Sequence, residues 1–309
     1  MKREIQVEIT NQCHLNCIHC SSKNLRALPP HDKLFSQQLI QFLTKMGGNN
    51  HVYLTGGDPL CLKSLPELCN SLSAIKDLEL GLFTNGIVTD NSSFKSISIE
   101  YAHDLCNMGI KDCYISLYGP NAPMHNCITN ADTFDLTCAS IKNLASSGIE
   151  TNAHIVLSKI SISKLIDTIQ LAERLGMKSA RILHLVKTGN AVDNWDSIGL
   201  HAYEQENKIL EILNAYTPNS FKVTISGYPH ISPCRPIEDA IGCQRGINLL
   251  YITYDGAIYP CACTKSNENF RIGFIQDIDH AITELQKYNK VNYFDECANT
   301  NRFHSNKPI

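Results

Sequence analysis

The first two thirds of the chain alternate between strand-like and helix-like segments, and this alternation restricts the fold more than any other sequence feature. Short apolar runs recur between segments whose apolar residues follow a helical spacing, and Gly109, Gly148 and Gly176 lie just beyond helix ends. Such β-α units with short links predict a parallel sheet with right-handed crossovers, either open or curled into a partial barrel. The predicted strands are 5–9, 51–54, 78–84, 113–117, 152–157 and 179–185, and the predicted helices between them are 35–46, 65–75, 101–108, 133–145 and 164–175.

The pattern changes after residue 189. One further helix is predicted, and the short strands that follow it are separated by turn residues such as Asp255 and Gly256. We therefore expect two regions, a strand–helix core over 1–195 and a small loop-rich C-terminal region over 196–309. The elements predicted in the second region are a helix over 203–215 and strands around 221–225, 249–253 and 257–259.

Composition argues against several classes of partner. The chain has 309 residues, a formal net charge of -3 and no block of like charges, so we expect neither a nucleic-acid nor a membrane surface. No signal-peptide pattern and no membrane-length apolar run are visible, which predicts a cytoplasmic protein. In a reducing compartment, the fourteen cysteines indicate metal sites together with buried small apolar side chains. The cysteines predicted as core residues are Cys61, Cys69, Cys106, Cys113, Cys127 and Cys138.

Three cysteines directly after the first strand carry the strongest chemical signal. Cys13, Cys17 and Cys20 have the spacing C-x3-C-x2-C. Three thiolates on one short loop can hold three irons of a [4Fe–4S] cluster and leave the fourth iron open to another ligand. The alternative is a zinc site that takes His14 or His19 as its fourth ligand.

This cysteine spacing resembles that of the radical S-adenosylmethionine (radical SAM) superfamily. The resemblance implies that SAM binds the open iron, that the reduced cluster cleaves it to a 5′-deoxyadenosyl radical, and that this radical takes a hydrogen atom from the substrate. It also selects the partial barrel, an α/β core of the (β/α)6 TIM-like type. His19 occupies the position where the family has an aromatic residue near the adenine. An electron donor such as flavodoxin or ferredoxin is implied as a partner.

The second strand ends in a motif that fits the same family. Gly56, Gly57, Asp58 and Pro59 resemble the Gly-Gly-Glu-Pro element that receives the SAM ammonium group, with aspartate in place of the usual glutamate. Paired glycines allow a close approach of the backbone to a ligand, and proline fixes the following turn. Alone, the motif is a turn; one β-α unit after the three cysteines, it indicates a SAM site.

Later strand ends supply further candidates for SAM binding. Asn85 and Ser116 resemble family residues that contact the ribose or the methionine carboxylate, although both lie in turn-forming sequences. Arg181 precedes a Gly-x-Ala element, as in related enzymes, and either binds the SAM carboxylate or forms a structural ion pair. His125 either faces the substrate or is a solvated loop histidine.

The C-terminal cysteines suggest a second cluster. The spacing from Cys243 through Gly256 to Cys261 is C-x12-G-x4-C, which resembles the start of the auxiliary-cluster regions called SPASM and twitch domains. A hairpin at Gly256 would return Cys261 to Cys243. Cys297 is the expected third ligand, and the absence of a longer cysteine run favours the shorter twitch type with one auxiliary [4Fe–4S] cluster.

The fourth ligand of this second cluster is left open between Cys263, Cys234 and the substrate. A thiol that is not a ligand has a possible role in this superfamily, since some members are epimerases in which a cysteine returns a hydrogen atom to the substrate radical. The leading hypothesis is a radical SAM enzyme that acts on a small natural product or a peptide. The alternatives are an epimerase that uses Cys263 or Cys234 as the donor, and a non-catalytic iron–sulfur or zinc protein.

Overall fold

The computed structural model describes residues 2–22, 33–215, 221–226, 248–265 and 267–288. Twelve strands and ten α-helices are found in these ranges. Strands alternate with helices from the first strand to the eighth, except between residues 78 and 96, where three strands follow one another. Within the described residues, no helix has both the length and the apolar character needed to cross a lipid bilayer.

The strands are β1 (Arg3–Thr10), β2 (Asn50–Gly56), β3 (Leu78–Thr84), β4 (Ile87–Asp90), β5 (Ser93–Ser96), β6 (Ile110–Ser116), β7 (Glu150–Val156), β8 (Ser179–Leu183), β9 (Lys222–Ser226), β10 (Leu249–Ile252), β11 (Ala257–Tyr259) and β12 (Gly273–Phe274). The helices are α1 (Lys33–Met46), α2 (Leu65–Ser73), α3 (Ile99–Asn107), α4 (Ala122–Thr129), α5 (Phe134–Ser146), α6 (Leu165–Arg174), α7 (Asn190–Asp193), α8 (Trp195–Ile198), α9 (Ala202–Ala215) and α10 (Ile278–Tyr288).

Ten of the strands form one sheet, in the order β12-β11-β10-β1-β2-β3-β6-β7-β8-β9. The six predicted core strands lie in its centre, and every pairing from β10 across to β9 is parallel. Among the described residues no pairing joins β9 to β10, so the sheet is a partial barrel, as predicted. Both edge strands come from the region after residue 195, and the C-terminal hairpin continues the sheet beyond β1.

The core lies between the sheet and its helices. On β1, Ile5, Val7 and Ile9 are fully buried against the helical layer, whereas the alternate side chains Glu4 and Glu8 face the barrel interior. This division follows from the two-residue period of a strand. The interior therefore collects the polar side chains of the inner strand faces, and these need partners within the protein.

Several elements were not predicted from sequence, namely the β4–β5 hairpin, the helices α4, α7, α8 and α10, and the strand β12. The β4–β5 hairpin turns at Asn91 and Ser92, which both have positive φ although neither is glycine, so the usual Asn-Gly signal is missing. Helix α4 begins at an Asn121 cap directly after a Gly-Pro pair that suggested a loop, and α10 follows the last short strand. Of the cysteines predicted as core, Cys69 and Cys113 are buried, but Cys127 on α4 is exposed.

Candidate functional site

The three N-terminal cysteines lie on the loop that follows β1, at the carboxyl edge of the sheet. This segment, residues 11–22, is called the cysteine loop below. The sulfur of Cys13 accepts hydrogen bonds from the Leu15 backbone N–H at 3.4 Å and from Asn85 Nδ2 at 3.6 Å. Burial raises the pKa of Tyr118. The negative charge of a Cys17 thiolate raises it further, and so, by smaller amounts, do the charges of Cys20 and Cys13. All three thiols therefore lie near this one phenol.

The donor set of the cysteine loop fits a cluster of several irons. Within the described residues, no three His, Cys, Asp or Glu side chains converge on a point that would hold a single metal ion. An iron–sulfur cube takes each thiolate on a different iron, so it does not need such convergence. His19, a candidate zinc ligand, instead packs edge-on against Tyr118 at 4.6 Å, and its buried Nδ1 has no hydrogen-bond partner. Burial lowers the pKa of His19 to about 4, so the ring is neutral.

The Gly-Gly-Asp-Pro motif contacts the cysteine loop through its backbone. The N–H groups of Gly57 and Asp58 donate to the carbonyls of Thr10 and Gln12, both at 2.7 Å. A Cβ at Gly56 would lie 2.2 Å from the Thr10 oxygen, and one at Gly57 would lie 1.9 Å from the Gln12 oxygen. Real Cβ atoms do not come this close, so only glycine permits the contact. The motif thus fixes the start of the cysteine loop.

The side chain of Asp58 points into the protein. It is 1% exposed, and it accepts hydrogen bonds from Thr84 Oγ1 at 2.9 Å, from the Asn85 N–H at 2.8 Å and from the Leu60 N–H at 3.0 Å. Burial raises the pKa of Asp58 to about 6, although these hydrogen bonds act to lower it. Both carboxylate oxygens are therefore engaged by the ends of β2 and β3, and Pro59 begins a short 3-10 turn just behind them.

Two other strand-end candidates also have protein partners. The Asn85 amide lies on the Cys13 sulfur rather than facing outward. The Ser116 side chain hydrogen-bonds that of Tyr118, which links the end of β6 to the surroundings of the cysteine loop. His125 is neither exposed nor on a loop. It lies on α4, is 1% exposed, and its Nδ1 accepts from the Tyr118 N–H at 3.3 Å.

A third segment that holds the cysteine loop follows β8, and sequence reasoning had noted it only as a Gly-x-Ala element. Asn190 donates from its backbone to the Cys20 carbonyl at 2.9 Å and from Nδ2 to the Cys17 carbonyl at 2.8 Å. Gly189 has a φ of +57°, and a Cβ there would lie 2.3 Å from the Cys20 carbonyl oxygen. Asn194 Nδ2 donates at 3.1 Å to the carbonyl of Ile18, which lies between those two cysteines in the sequence. The signal for these contacts was the glycine itself.

Arg181 has the structural ion pair that the sequence left open. Its guanidinium binds both carboxylate oxygens of Glu4 at 3.0 Å, donates to the Tyr114 hydroxyl at 3.0 Å and lies 4.2 Å from the centre of that ring. Glu4 is near the start of β1, so this group occupies the amino half of the barrel interior. The guanidinium is committed to Glu4 and Tyr114, whereas the cysteine loop leaves the opposite end of β1.

Comparison with known proteins agrees with this geometry. Residues 7–172 match the family model described as Radical SAM superfamily. The chain belongs to this superfamily.

Curated radical SAM relatives are named as enzymes. An AdoMet-dependent heme synthase of Nitratidesulfovibrio vulgaris is 26% identical over 280 residues, which cover 82% of this chain and 72% of the relative. A probable GTP 3′,8-cyclase of Sulfurisphaera tokodaii is 23% identical over 279 residues, covering 86% and 82%. The prediction of an enzyme of the radical SAM class is confirmed at this level.

Solved radical SAM structures share the fold. Native anSMEcpe with bound AdoMet and the Kp18Cys peptide superposes with a TM-score of 0.69 at 14% identity, covering 98% of this chain and 83% of that one. Streptococcus suis SuiB bound to the precursor peptide SuiA gives 0.63 at 15% identity. The match covers 97% of this chain but only 64% of SuiB, so this chain spans less than two thirds of that protein.

In this radical SAM chain, the described C-terminal cysteines lie at the end of a hairpin. The β10 and β11 strands pair antiparallel, and Gly256 at their turn has a φ of +85°, as the Asp-Gly signal predicted. Cys261 follows β11, is 6% exposed and hydrogen-bonds Cys263, and this bond, followed by burial, raises its pKa. The other predicted residues of this region lie outside the described residues, and they are Cys234, Cys243 and Cys297.

A buried ion pair joins this C-terminal region to the barrel. Lys265 Nζ lies 2.7 Å from Glu8 Oε1, 3.1 Å from Ser22 Oγ and 3.2 Å from the Tyr251 hydroxyl. Glu8 is fully buried and also accepts from the Tyr251 hydroxyl at 2.5 Å and from the Tyr254 N–H at 2.9 Å. The hairpin that carries the second group of cysteines is thereby tied to the end of the cysteine loop.

Proposed function

We propose that this chain holds a [4Fe–4S] cluster on Cys13, Cys17 and Cys20, binds SAM at the remaining iron and uses the resulting 5′-deoxyadenosyl radical to take a hydrogen atom from its substrate. The observation that carries the proposal is the cysteine loop, on which three thiols are grouped around Tyr118 and which three neighbouring segments hold in place. The reduced cluster, when bound, supplies the electron that cleaves SAM.

Residues around the cysteine loop are suited to bind the rest of SAM. The ring of His19, which burial keeps neutral, is our candidate for stacking on the adenine. The backbone of Gly56 and Gly57 is our candidate for the SAM ammonium group.

For the substrate we propose a small natural product or a short peptide. The curated relatives are named for heme and for GTP, and the structural neighbours bind peptides, so both classes occur among proteins similar to this one. The aromatic and polar side chains of the barrel interior suit a polar organic substrate better than a lipid chain. A separate flavodoxin or ferredoxin is the proposed electron source.

Anaerobic reconstitution tests the proposal. We expect about four irons per chain for one cube, an EPR signal of the reduced protein that changes when SAM is added, and formation of 5′-deoxyadenosine. Cys17→Ser should lose the irons of this cube, the SAM-dependent EPR change and the formation of 5′-deoxyadenosine. Cys127→Ser changes an exposed cysteine on α4 and is the matched control, which should leave them unchanged. A parent protein that binds zinc instead, or gives no deoxyadenosine, would support the non-catalytic alternative.

We further propose an auxiliary [4Fe–4S] cluster on Cys243, Cys261 and Cys297, with Cys263 or Cys234 as a possible fourth ligand. Such a cluster raises the expected iron content to about eight per chain. Cys261→Ser should return it to about four, with the SAM-dependent EPR change retained. An unchanged iron content would remove the auxiliary site.

The epimerase alternative rests on the position of Cys263. Burial and then the charge and hydrogen bond of Glu8 raise the pKa of Tyr251, and the charges of Cys20 and Cys263 raise it further, so both cysteines lie near this phenol. A thiol near the SAM site could return a hydrogen atom to a substrate radical. With Cys263→Ser or Cys234→Ser, loss of inversion with continued SAM cleavage would identify the donor, and retained inversion would reject it.

A further inference from the structure

The side chain of Asn85 makes a contact that its expected role does not explain. Sequence reasoning assigned it to the ribose or carboxylate of SAM, but its Nδ2 lies 3.6 Å from the Cys13 sulfur. We propose that Asn85 is a positioning residue for the N-terminal cluster, which donates a hydrogen bond to the Cys13 sulfur, and that Asp58 holds it there. This inference rests on the proposed cluster at Cys13, Cys17 and Cys20.

The orientation of the Asn85 amide is fixed from its oxygen end. Oδ1 accepts from the Ile87 N–H at 2.8 Å, at the start of the β4–β5 hairpin. A carboxamide oxygen that is held by a backbone donor leaves the NH2 group to point the other way, toward Cys13. The Asn85 carbonyl accepts from Thr137 Oγ1 at 3.3 Å, which ties the same residue to α5.

Asp58 fixes the backbone of Asn85. Its Oδ2 accepts from the Asn85 N–H at 2.8 Å, and Thr84 Oγ1 donates to both carboxylate oxygens at 2.9 and 3.0 Å. Thr84 Oγ1 in turn accepts from the Gly86 N–H at 3.0 Å. A carboxylate at position 58 therefore determines where β3 ends. Its short side chain reaches this strand end from the same turn whose backbone holds the cysteine loop.

The chemical consequence concerns the charge on sulfur. A cluster gains one negative charge when it is reduced, and part of that charge resides on the coordinating thiolates. An N–H group aimed at a thiolate stabilises the reduced state more than the oxidised one, and hydrogen bonds to the sulfurs raise the reduction potential of iron–sulfur clusters. The Leu15 N–H makes a similar contact with Cys13, but from the main chain. Asn85 is therefore the residue through which a side-chain substitution would alter this effect.

Two asparagines of the chain form a matched pair for the test. Asn85 donates to a cysteine sulfur, whereas Asn190 donates from Nδ2 to the Cys17 carbonyl, at 2.8 Å, and to Asn16. Both support the cysteine loop, so loss of either removes structural contacts. Only the first substitution removes an N–H···S hydrogen bond, which separates an electrostatic role from a general effect on the loop.

The experiment is a redox titration of the reconstituted protein without SAM, followed by EPR. The N-terminal cluster is identified as the signal that Cys17→Ser lacks. We expect Asn85→Ser to shift its midpoint to a lower potential. Asn85→Asp, which keeps an acceptor for the Ile87 N–H but loses the donor, should shift it further because it adds a negative charge. Asn190→Ser should leave the midpoint in place. Asp58→Glu, which keeps the charge but lengthens the side chain that holds the Asn85 N–H, should shift the midpoint in the same direction as Asn85→Ser.

The outcomes distinguish this inference from the proposed function. Unchanged midpoints in the Asn85 variants would overturn it, and a weaker EPR response to SAM in the same variants would then return Asn85 to a SAM-binding role. An equal shift in Asn190→Ser would also overturn it, because a general distortion of the loop would then explain the effect. A parent protein without an N-terminal cluster would refute the proposed function instead.

Discussion

The two ends of the barrel interior are both polar, but they are built from different kinds of contact. At the carboxyl edge, main-chain groups predominate. The carbonyls of Thr10, Gln12 and Cys20 each accept a backbone N–H from a neighbouring loop at 2.7 to 2.9 Å. Gly57 and Gly189 are needed there because the backbones pass so close together.

At the amino edge, side chains contact one another. Arg181 binds Glu4 through two hydrogen bonds, and the Tyr53 hydroxyl donates to Asp112 at 2.6 Å. The rings of His51, Tyr53 and Tyr114 lie beside these groups. Phe83 and His154, from the carboxyl halves of β3 and β7, continue this ring cluster, in which centroid distances are 4.3 to 5.6 Å. The contacts at the carboxyl edge therefore fix the path of a loop, whereas those at the amino edge neutralise charges that the inner strand faces bring together.

The largest effect is expected from a single methyl group at the carboxyl edge. Gly57→Ala puts a Cβ on the Gln12 carbonyl, which is main chain and cannot turn aside. We expect stability to fall by about 3 kcal/mol and the affinity for the cluster to fall about tenfold. Urea unfolding and the iron content after reconstitution measure the two effects.

Gly148→Ala is the control for that substitution. Gly148 has a positive φ of 90°, but a Cβ there would meet nothing within 4 Å. The alanine costs only backbone strain, about 1 kcal/mol, and iron binding should not change. If Gly57→Ala bound iron as well as Gly148→Ala does, the close backbone contact would not be what holds the cysteine loop.

Lys265 and Glu8 form an ion pair near the cysteine loop, so one side-chain contact of the kind seen at the amino edge also occurs at the carboxyl edge. Lys265→Met leaves the fully buried Glu8 carboxylate without its cation, and we expect a loss of about 2 kcal/mol because two other donors remain. The double variant Glu8→Gln/Lys265→Met should recover part of this loss, since the unpaired charge is gone. Urea unfolding measures both.

Lys45 provides a matched control at the surface. It also joins the barrel to the C-terminal region, through an ion pair between α1 and Asp279 on α10, but both side chains are exposed. Lys45→Met should therefore cost less than about 0.5 kcal/mol. Equal losses for Lys45→Met and Lys265→Met would mean that burial of Glu8 does not determine the effect.

Arg181 provides the test at the amino edge. Arg181→Met keeps the side-chain length but leaves Glu4 unpaired, and we expect a loss of about 1.5 kcal/mol because Glu4 is 23% exposed and water can solvate it. The EPR response to SAM should be unchanged. A weaker response with unchanged stability would instead support the SAM-carboxylate role that the resemblance implied.

The same contrast explains what the sequence could predict. Close backbone contacts require particular residue types, so the glycines at 56, 57 and 189 leave a visible signature. The strand–helix order was also readable, because each element carries its own apolar period. The ion pair between Glu4 and Arg181 joins residues 177 positions apart and requires no motif at either position, so its partner could not be identified.

Candidate residues in turns were the hardest to assign. Asn85 and Asp58 were correctly located at strand ends, but which way their side chains point depends on the neighbouring strand end and on the cysteine loop. Sequence spacing gives a residue's place along an element and not its contacts across elements. His125 shows the same limit, since a Gly-Pro pair suggested a loop where α4 buries the imidazole.

The smallest effect concerns His125 near the carboxyl edge. Burial lowers its pKa to about 4, below the usual 6.5, so the unfolded chain binds the proton first as pH falls. The stability contributed by the neutral ring is present above pH 6.5 and is lost between pH 6.5 and 4. From pH 7 to 5.5 this amounts to about 1 kcal/mol. Asp58, whose pKa is raised to about 6, acts in the opposite sense below that pH.

His125→Gln isolates the histidine from the aspartate. Glutamine offers an oxygen to the Tyr118 N–H but does not titrate, so its urea-unfolding stability should fall by about 1 kcal/mol less than the parent's between pH 7 and 5.5. Asp58 is present in both proteins and cancels in the difference. Parallel pH profiles would contradict the buried neutral imidazole. If the stability of the variant fell more steeply with pH than that of the parent, the His125 ring of the parent would instead be protonated in the folded protein.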